Sequence, residues 1–165
     1  MKSILLQLTL FVTMVLLFCG RADATCIGLG CSCAISADDV SFGAYDPLSA
    51  SNHDATGAVR VTCGAILGSI TVSYTVSLSS GSSGTALARS MQNGGSTLAY
   101  NLYTNPSRST IWGTGAGGTG TLGNSYSLGL LFPKTDTFPV YGRIPPWQTV
   151  GAGSYSDTLV ATVTF

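Results

Sequence analysis

The chain has 165 residues, 45% hydrophobic and only 8% charged, with seven Lys and Arg against seven Asp and Glu. Every acid is Asp and the basic residues are scattered, so there is no basic stripe with which to hold nucleic acid. A single histidine leaves no material for a histidine-rich metal cluster and little for a serine triad.

Met1-Lys2-Ser3, the apolar run Ile4 to Phe18 and the exit Ala22-Asp23-Ala24 have the charged start, apolar middle and small-x-small end of a secretory signal, cut after Ala24. The run is short against the roughly 20 residues of a spanning helix. Anchoring through Cys19 is the alternative, but Phe18 is bulky where small residues are expected. Residues 25–165 are then expected to form one exported domain with a single core and no transmembrane segment. Gly, Ser, Thr and Val abound and apolar positions recur at period two, which predicts an all-β domain.

Beyond the signal stand Cys26, Cys31, Cys33 and Cys63, an even number that reads as two disulfides in an exported chain. Cys33 with Cys63 is the favoured pair, because each ends a candidate strand and adjacent strands bring such ends together. Cys26 with Cys31 then closes a small loop. Four thiolates on zinc are the rival, but the spacing has no C-x-x-C and an oxidising compartment disfavours free thiolates.

In chain order, a first strand is expected from Cys33 through Phe42 and a turn at Gly43 to Pro47. A polar loop from Ser49 to Thr56 carries His53, and Gly57 to Cys63 forms the second strand. Ile70, Val72, Tyr74, Val76 and Leu78 alternate with Thr and Ser, the pattern of a core strand with a hydroxylated outer face. Leu98, Tyr100 and Leu102 mark another strand, Thr110 to Trp112 a short one, and a glycine-rich loop follows from Gly113 to Asn124. Tyr126 to Leu130 and Val140 to Ile144 are strands separated by Pro133 to Pro139. A closing strand runs from Tyr155, with Leu159, Ala161, Val163 and Phe165 on one face. Its apolar row reaches the last residue given, so a neighbour on its far side must come from elsewhere. About seven strands with turns between them sketch a β-sandwich.

Catalytic chemistry finds little support. Gly113, Gly115 and Gly118 match G-x-G-x-x-G, but no helix is expected after them. Asp38, Asp39, Asp46 and Asp54 sit in turn-like contexts where Asp caps backbone amides, so paired carboxylates for sugar hydrolysis are not indicated. No enzyme, cofactor or metal role is expected. Trp112 and Trp147 flank loops and are the candidate surface contacts, against the plainer reading that they plug the ends of the sandwich.

An ordered set of motifs covers Cys33 to Phe165: Cys33-Ala34-Ile35-Ser36-Ala37, Ser41 to Leu48, Val59 to Cys63, Arg89-Ser90-Met91, Leu98 to Tyr103, Ile111-Trp112-Gly113, Val140 to Pro145 and Gly153 to Thr158. The set resembles the spore coat protein U domain and, by extension, subunits of archaic chaperone-usher pili. The resemblance implies an immunoglobulin-like sandwich missing its last strand, a periplasmic chaperone that lends one, an outer-membrane usher, and a neighbouring subunit whose N-terminal extension later replaces the loan. Leu159, Ala161, Val163 and Phe165 would then border the acceptor groove, a hazard for aggregation unless filled. Residues Thr25 to Ser32, short and carrying the expected Cys26–Cys31 loop, look unable to serve as a donor. That points to a pilus tip or terminal subunit, with a secreted spore or surface coat protein and a surface-binding adhesin as alternatives.

Overall fold

The computed structural model describes residues 26–29, 31–64, 67–128 and 133–165. Through these run nine strands: β1 (Cys26–Leu29), β2 (Ser32–Asp38), β3 (His53–Gly64), β4 (Leu67–Leu78), β5 (Arg89–Asn93), β6 (Ser96–Tyr103), β7 (Leu122–Leu128), β8 (Lys134–Ile144) and β9 (Ala161–Thr164). Strand pairing is antiparallel throughout, in one sheet of order β2-β3-β8-β6-β5 and a second built on β4. In the second sheet, Thr71 and Val72 pair with both β1 and β7, and Thr75 and Val76 with both β7 and β9. Hence β7 holds one edge of β4 while β1 and β9 share the other, end to end. The result is the expected all-β, immunoglobulin-like sandwich.

Period-two alternation places the core as the sequence suggests. Val59, Val61 and Cys63 of β3, Val72, Tyr74, Val76 and Leu78 of β4, Leu98, Tyr100 and Leu102 of β6, and Val140 and Ile144 of β8 are all buried. Each large apolar side chain so buried contributes about 1.5–3 kcal/mol. Cys33 lies opposite Cys63 in register, their Cα atoms 4.0 Å apart, and the two are disulfide-bonded. On a chain-entropy argument, closing a loop of 30 residues stabilises by about 3–4 kcal/mol. Cys31 is itself disulfide-bonded; the side chain of its expected partner Cys26, like residues 1–24 and Leu130, lies outside the described ones.

Several boundaries differ from the expectation. His53 does not sit in a polar loop: it opens β3, opposite Ile144, and its Nε2 bonds the Phe42 carbonyl oxygen. Strand β8 runs through Pro139 without a break. There β6 has not yet joined, since it pairs only with Tyr141 to Arg143, so β8 has one neighbour and tolerates a residue with no N–H. A strand without strong alternation, Arg89–Asn93, forms a hairpin with β6 around Gly94, which takes φ 57°. The first strand stops at Asp38, and the chain then crosses the inner face of the sheet. Val40 and Phe42 settle over Gly57 and Gly142, where a Cβ would lie 2.8 Å from Val40 and 2.6 Å from Phe42, respectively.

Candidate functional site: an apolar seam beside the terminal strand

The register fixes which residues face inward. Ile35 pairs with Val61 and Ala37 with Val59, so both lie on the inner face with those buried valines. Yet Ile35 is 37% exposed and Ala37 is exposed as well. Across the opening, Val163 pairs with Val76 and Ala161 with Leu78, again inward, and both remain half-buried beside partners that are fully covered. Leu159 is half-buried, while Phe165 is 37% exposed. Two inward apolar rows thus border the same gap with nothing over them, and an apolar row at a sheet edge exposes backbone groups as well.

At Ala37 and Ala161 the gap opens into a cleft with two chambers. The narrower, about 380 Å³, lies between Ala37 to Val40 on one wall and Tyr155 to Asp157, Leu159 and Ala161 on the other, over Val59, Leu78 and Val140. The wider, about 650 Å³, continues between Val40 to Tyr45 and Val150 to Tyr155. Val40, Phe42, Met91 and Tyr155 line both and form the waist between them. Strands β2 and β9 approach with Cα atoms within 8 Å but exchange no backbone pairing. A strand paired to both would need them about 9.6 Å apart.

The terminal wall is tied down by polar contacts. Hydrogen-bonded strand begins only at Ala161, later than the expected Tyr155. Before it, Ser156 exchanges both backbone bonds with Gln92 at the β5 edge, and Ser79 accepts from the Val160 N–H through its Oγ while its own N–H donates to the Val160 carbonyl. The Asp157 carboxylate accepts from the Tyr100 hydroxyl and from the Ser82 and Thr158 N–H groups. Burial, the bond to Asp157 and its charge push the Tyr100 hydroxyl far above its ordinary pKa. Arg89, 1% exposed, donates to the Ser79 carbonyl, to Asn101 and to the Trp112 carbonyl.

Trp112 is not a surface contact. It is fully buried, and its Nε1–H donates to the Val76 carbonyl, so the indole braces β4 from within the core. Trp147 is 64% exposed and holds a left-handed backbone, φ 62°. Its neighbour Gln148 anchors the turn, taking the Ala99 N–H and giving to the Ala99 and Pro145 carbonyls, while the Gln148 N–H donates to the Tyr45 hydroxyl. Asp38, Asp46, Asp54 and Asp136 have structural partners, the Asp46 carboxylate accepting from the Leu48 N–H. Arg60 grips Asp38 with two bonds. A hydrogen bond from Arg143 and the charge of Arg108 hold the Asp54 carboxyl below the usual range. Asp136 takes bonds from Tyr74 and Asn124. Among the described residues no three metal-ligating side chains gather. The Gly113 to Gly118 stretch is a tight reversal, closed by Gly113 and Gly120 backbone bonds, rather than a phosphate loop leading into a helix.

An immunoglobulin-like sandwich with an uncovered apolar seam beside its terminal strand is the class that the fold and site define. The Spore Coat Protein U domain matches residues 24–162, and the chain belongs to that family. Protein U of Myxococcus xanthus is 37% identical over 150 residues, which span 84% of this chain and 79% of that protein. Among solved structures, the CsuC–CsuE chaperone–tip adhesion subunit pre-assembly complex from archaic chaperone-usher Csu pili of Acinetobacter baumannii contains a chain of similar fold. There the TM-score is 0.50 at 23% identity, over 82% of this chain and 40% of that one. No helix among the described residues is long and apolar enough to cross a membrane.

Proposed function

We propose that the protein is an exported structural subunit of a surface pilus, completed by a strand from another chain that enters the seam between β2 and β9. The occupant is first a periplasmic chaperone and later a neighbouring subunit, exchanged at an outer-membrane usher. The observation that carries this reading is the exposure of Ile35 and Ala37, inward-facing by register, opposite the half-covered Ala161 and Val163. An extended segment alternating in polarity supplies the missing apolar row and satisfies the edge backbone in one step. The first strand among the described residues is engaged: β1 pairs with β4. This supports an accepting but not donating role, at a tip or terminus. The role is structural, not catalytic.

Co-expression with the cognate chaperone in a periplasm tests this. The chain should be recovered as a protease-resistant chaperone complex, and Val163→Asp, which places a charge in the inward row, should reduce that complex at least about tenfold. Recovery of a resistant free monomer, unaffected by Val163→Asp, would overturn the proposal. Membership of the Spore Coat Protein U family favours a second use of the same fold, deposition in a spore or cell-surface coat; expression confined to sporulation would decide for it.

Trp147 is the residue through which an adhesive role would act, since its ring projects into solvent from an anchored turn. Trp147→Ala is expected to change stability by less than about 0.5 kcal/mol, as surface substitutions do, and to lower retention on an apolar surface. Retention equal to the unsubstituted protein would remove Trp147 from the contact.

A further inference from the structure

The motifs that carry the family likeness converge on one polar hub. Arg89 binds Asn101 and the Trp112 carbonyl, Tyr100 binds Asp157, and Arg89 also holds the Ser79 carbonyl. Ser79 in turn exchanges two bonds with Val160, the residue immediately before β9. The packing leaves no slack here. A Cβ on Gly81 would lie 2.1 Å from Asp157 Oδ2, and one on Gly153 2.1 Å from Asn93 Nδ2.

The opposite wall is built differently. From Asp39 to Tyr45 the chain belongs to no strand. It rests on the sheet through Val40 and Phe42, which occupy the space left by Gly57 and Gly142, through edge contact of Phe42 with Tyr100, and through the His53 bond to the Phe42 carbonyl, and it is pinned at its far end, where the Tyr45 hydroxyl donates to the Pro145 carbonyl and accepts the Gln148 N–H. Side-chain contacts of this kind slide more readily than a network of charge-assisted and paired backbone bonds. A strand that enters between β2 and β9 continues into the narrow chamber between Val40 and Phe42 on one side and Tyr155 to Asp157 on the other, so one of these walls has to move.

We propose that the groove opens on one side only: the Arg89–Asp157 hub fixes the terminal wall, making Asp157 and Arg89 positioning residues for strand capture, and the Asp39 to Tyr45 wall yields to the incoming strand. This rests on the strand-accepting reading above. A preset edge lowers the ordering cost of the encounter, so the hub acts on capture and not merely on folding.

Two alanine substitutions separate the walls. Gly142→Ala puts a Cβ 2.6 Å from Phe42 and 2.8 Å from Val40, lifting the yielding wall. Asp157→Ala unclips the fixed one. The probe is a synthetic ten-residue peptide alternating Val and Thr, with association followed by fluorescence of a dye on the peptide. Gly142→Ala should speed association about fivefold and Asp157→Ala slow it about tenfold. A purely structural role would move both the same way, because both loosen the fold. Where Asp157→Ala fails to fold, Tyr100→Phe removes a single O–H donor to the same carboxylate and should slow capture about threefold. Rates shifted in one direction by both substitutions, or unchanged by the hub variants, would overturn the one-sided opening while leaving the groove intact. A peptide that fails to bind the unsubstituted protein would overturn the groove and this inference together.

Discussion

Trp112→Ala is expected to lower the unfolding free energy by about 3–5 kcal/mol, the range for emptying a buried tryptophan site. The indole is fully buried, and its N–H satisfies the Val76 carbonyl in the strand on which β9 pairs. Removing it leaves a cavity and takes a hydrogen bond from the Val76 carbonyl in one stroke, and it also loosens the loop whose Trp112 carbonyl receives Arg89. A domain of this size has about 5–15 kcal/mol in total, so the yield of folded protein should fall with stability. Trp112→Phe restores part of the volume but not the hydrogen bond, and should fall between. Urea unfolding of the purified chain reads this directly. An unchanged midpoint combined with lost surface binding would instead return Trp112 to the surface.

The core of the fold was legible because period two survives in residues that touch both sheets. Val59, Val61 and Cys63, and Val72 to Leu78, alternate cleanly, and the register then brought Cys33 opposite Cys63. Strand β5 was not legible: its inward residues are Arg89 and Met91, and a buried arginine gives no apolar signal. Pro139 misled for the opposite reason, since a strand-breaking residue is tolerated where β8 has one neighbour. His53 looked solvated among Asn52 and Asp54, yet Asp54 is turned to Arg143 and Arg108 and the stretch is ordinary strand.

The site was legible only in outline. The alternating row Leu159, Ala161, Val163 and Phe165 announces an inward face, but not that its partner row on β2 is left uncovered, which depends on how two sheets meet across more than 120 residues of sequence. The two tryptophans could not be separated by spacing: each borders a loop. What distinguishes them is the partner, a strand carbonyl inside the core for Trp112 and a glutamine-anchored turn at the surface for Trp147. The role of Asp157 was hidden for the same reason, because its contacts, Tyr100 and Ser82, come from far along the chain.

Filling the seam has the other large expected effect. Five apolar side chains brought in by a strand would bury surface worth roughly 10 kcal/mol in all, and pairing of its backbone with the open edges adds to this, opposed by the conformational entropy lost when the strand is ordered. A free peptide therefore binds modestly, while a strand already held extended by its own protein binds tightly. At a peptide concentration about 100-fold above its Kd the gain is about 2.7 kcal/mol, equivalent to roughly 10 °C in melting temperature for a domain of this size. The decisive measurement is the melting temperature of the purified chain titrated with the alternating Val-Thr peptide and with a scrambled peptide of the same composition, which cannot present its apolar residues at period two. A rise of about 10 °C with the alternating peptide alone, saturating with concentration, is the result expected of an unfilled seam. No rise with either peptide, in a chain that already melts as a stable monomer, would mean that the sandwich is complete without a partner.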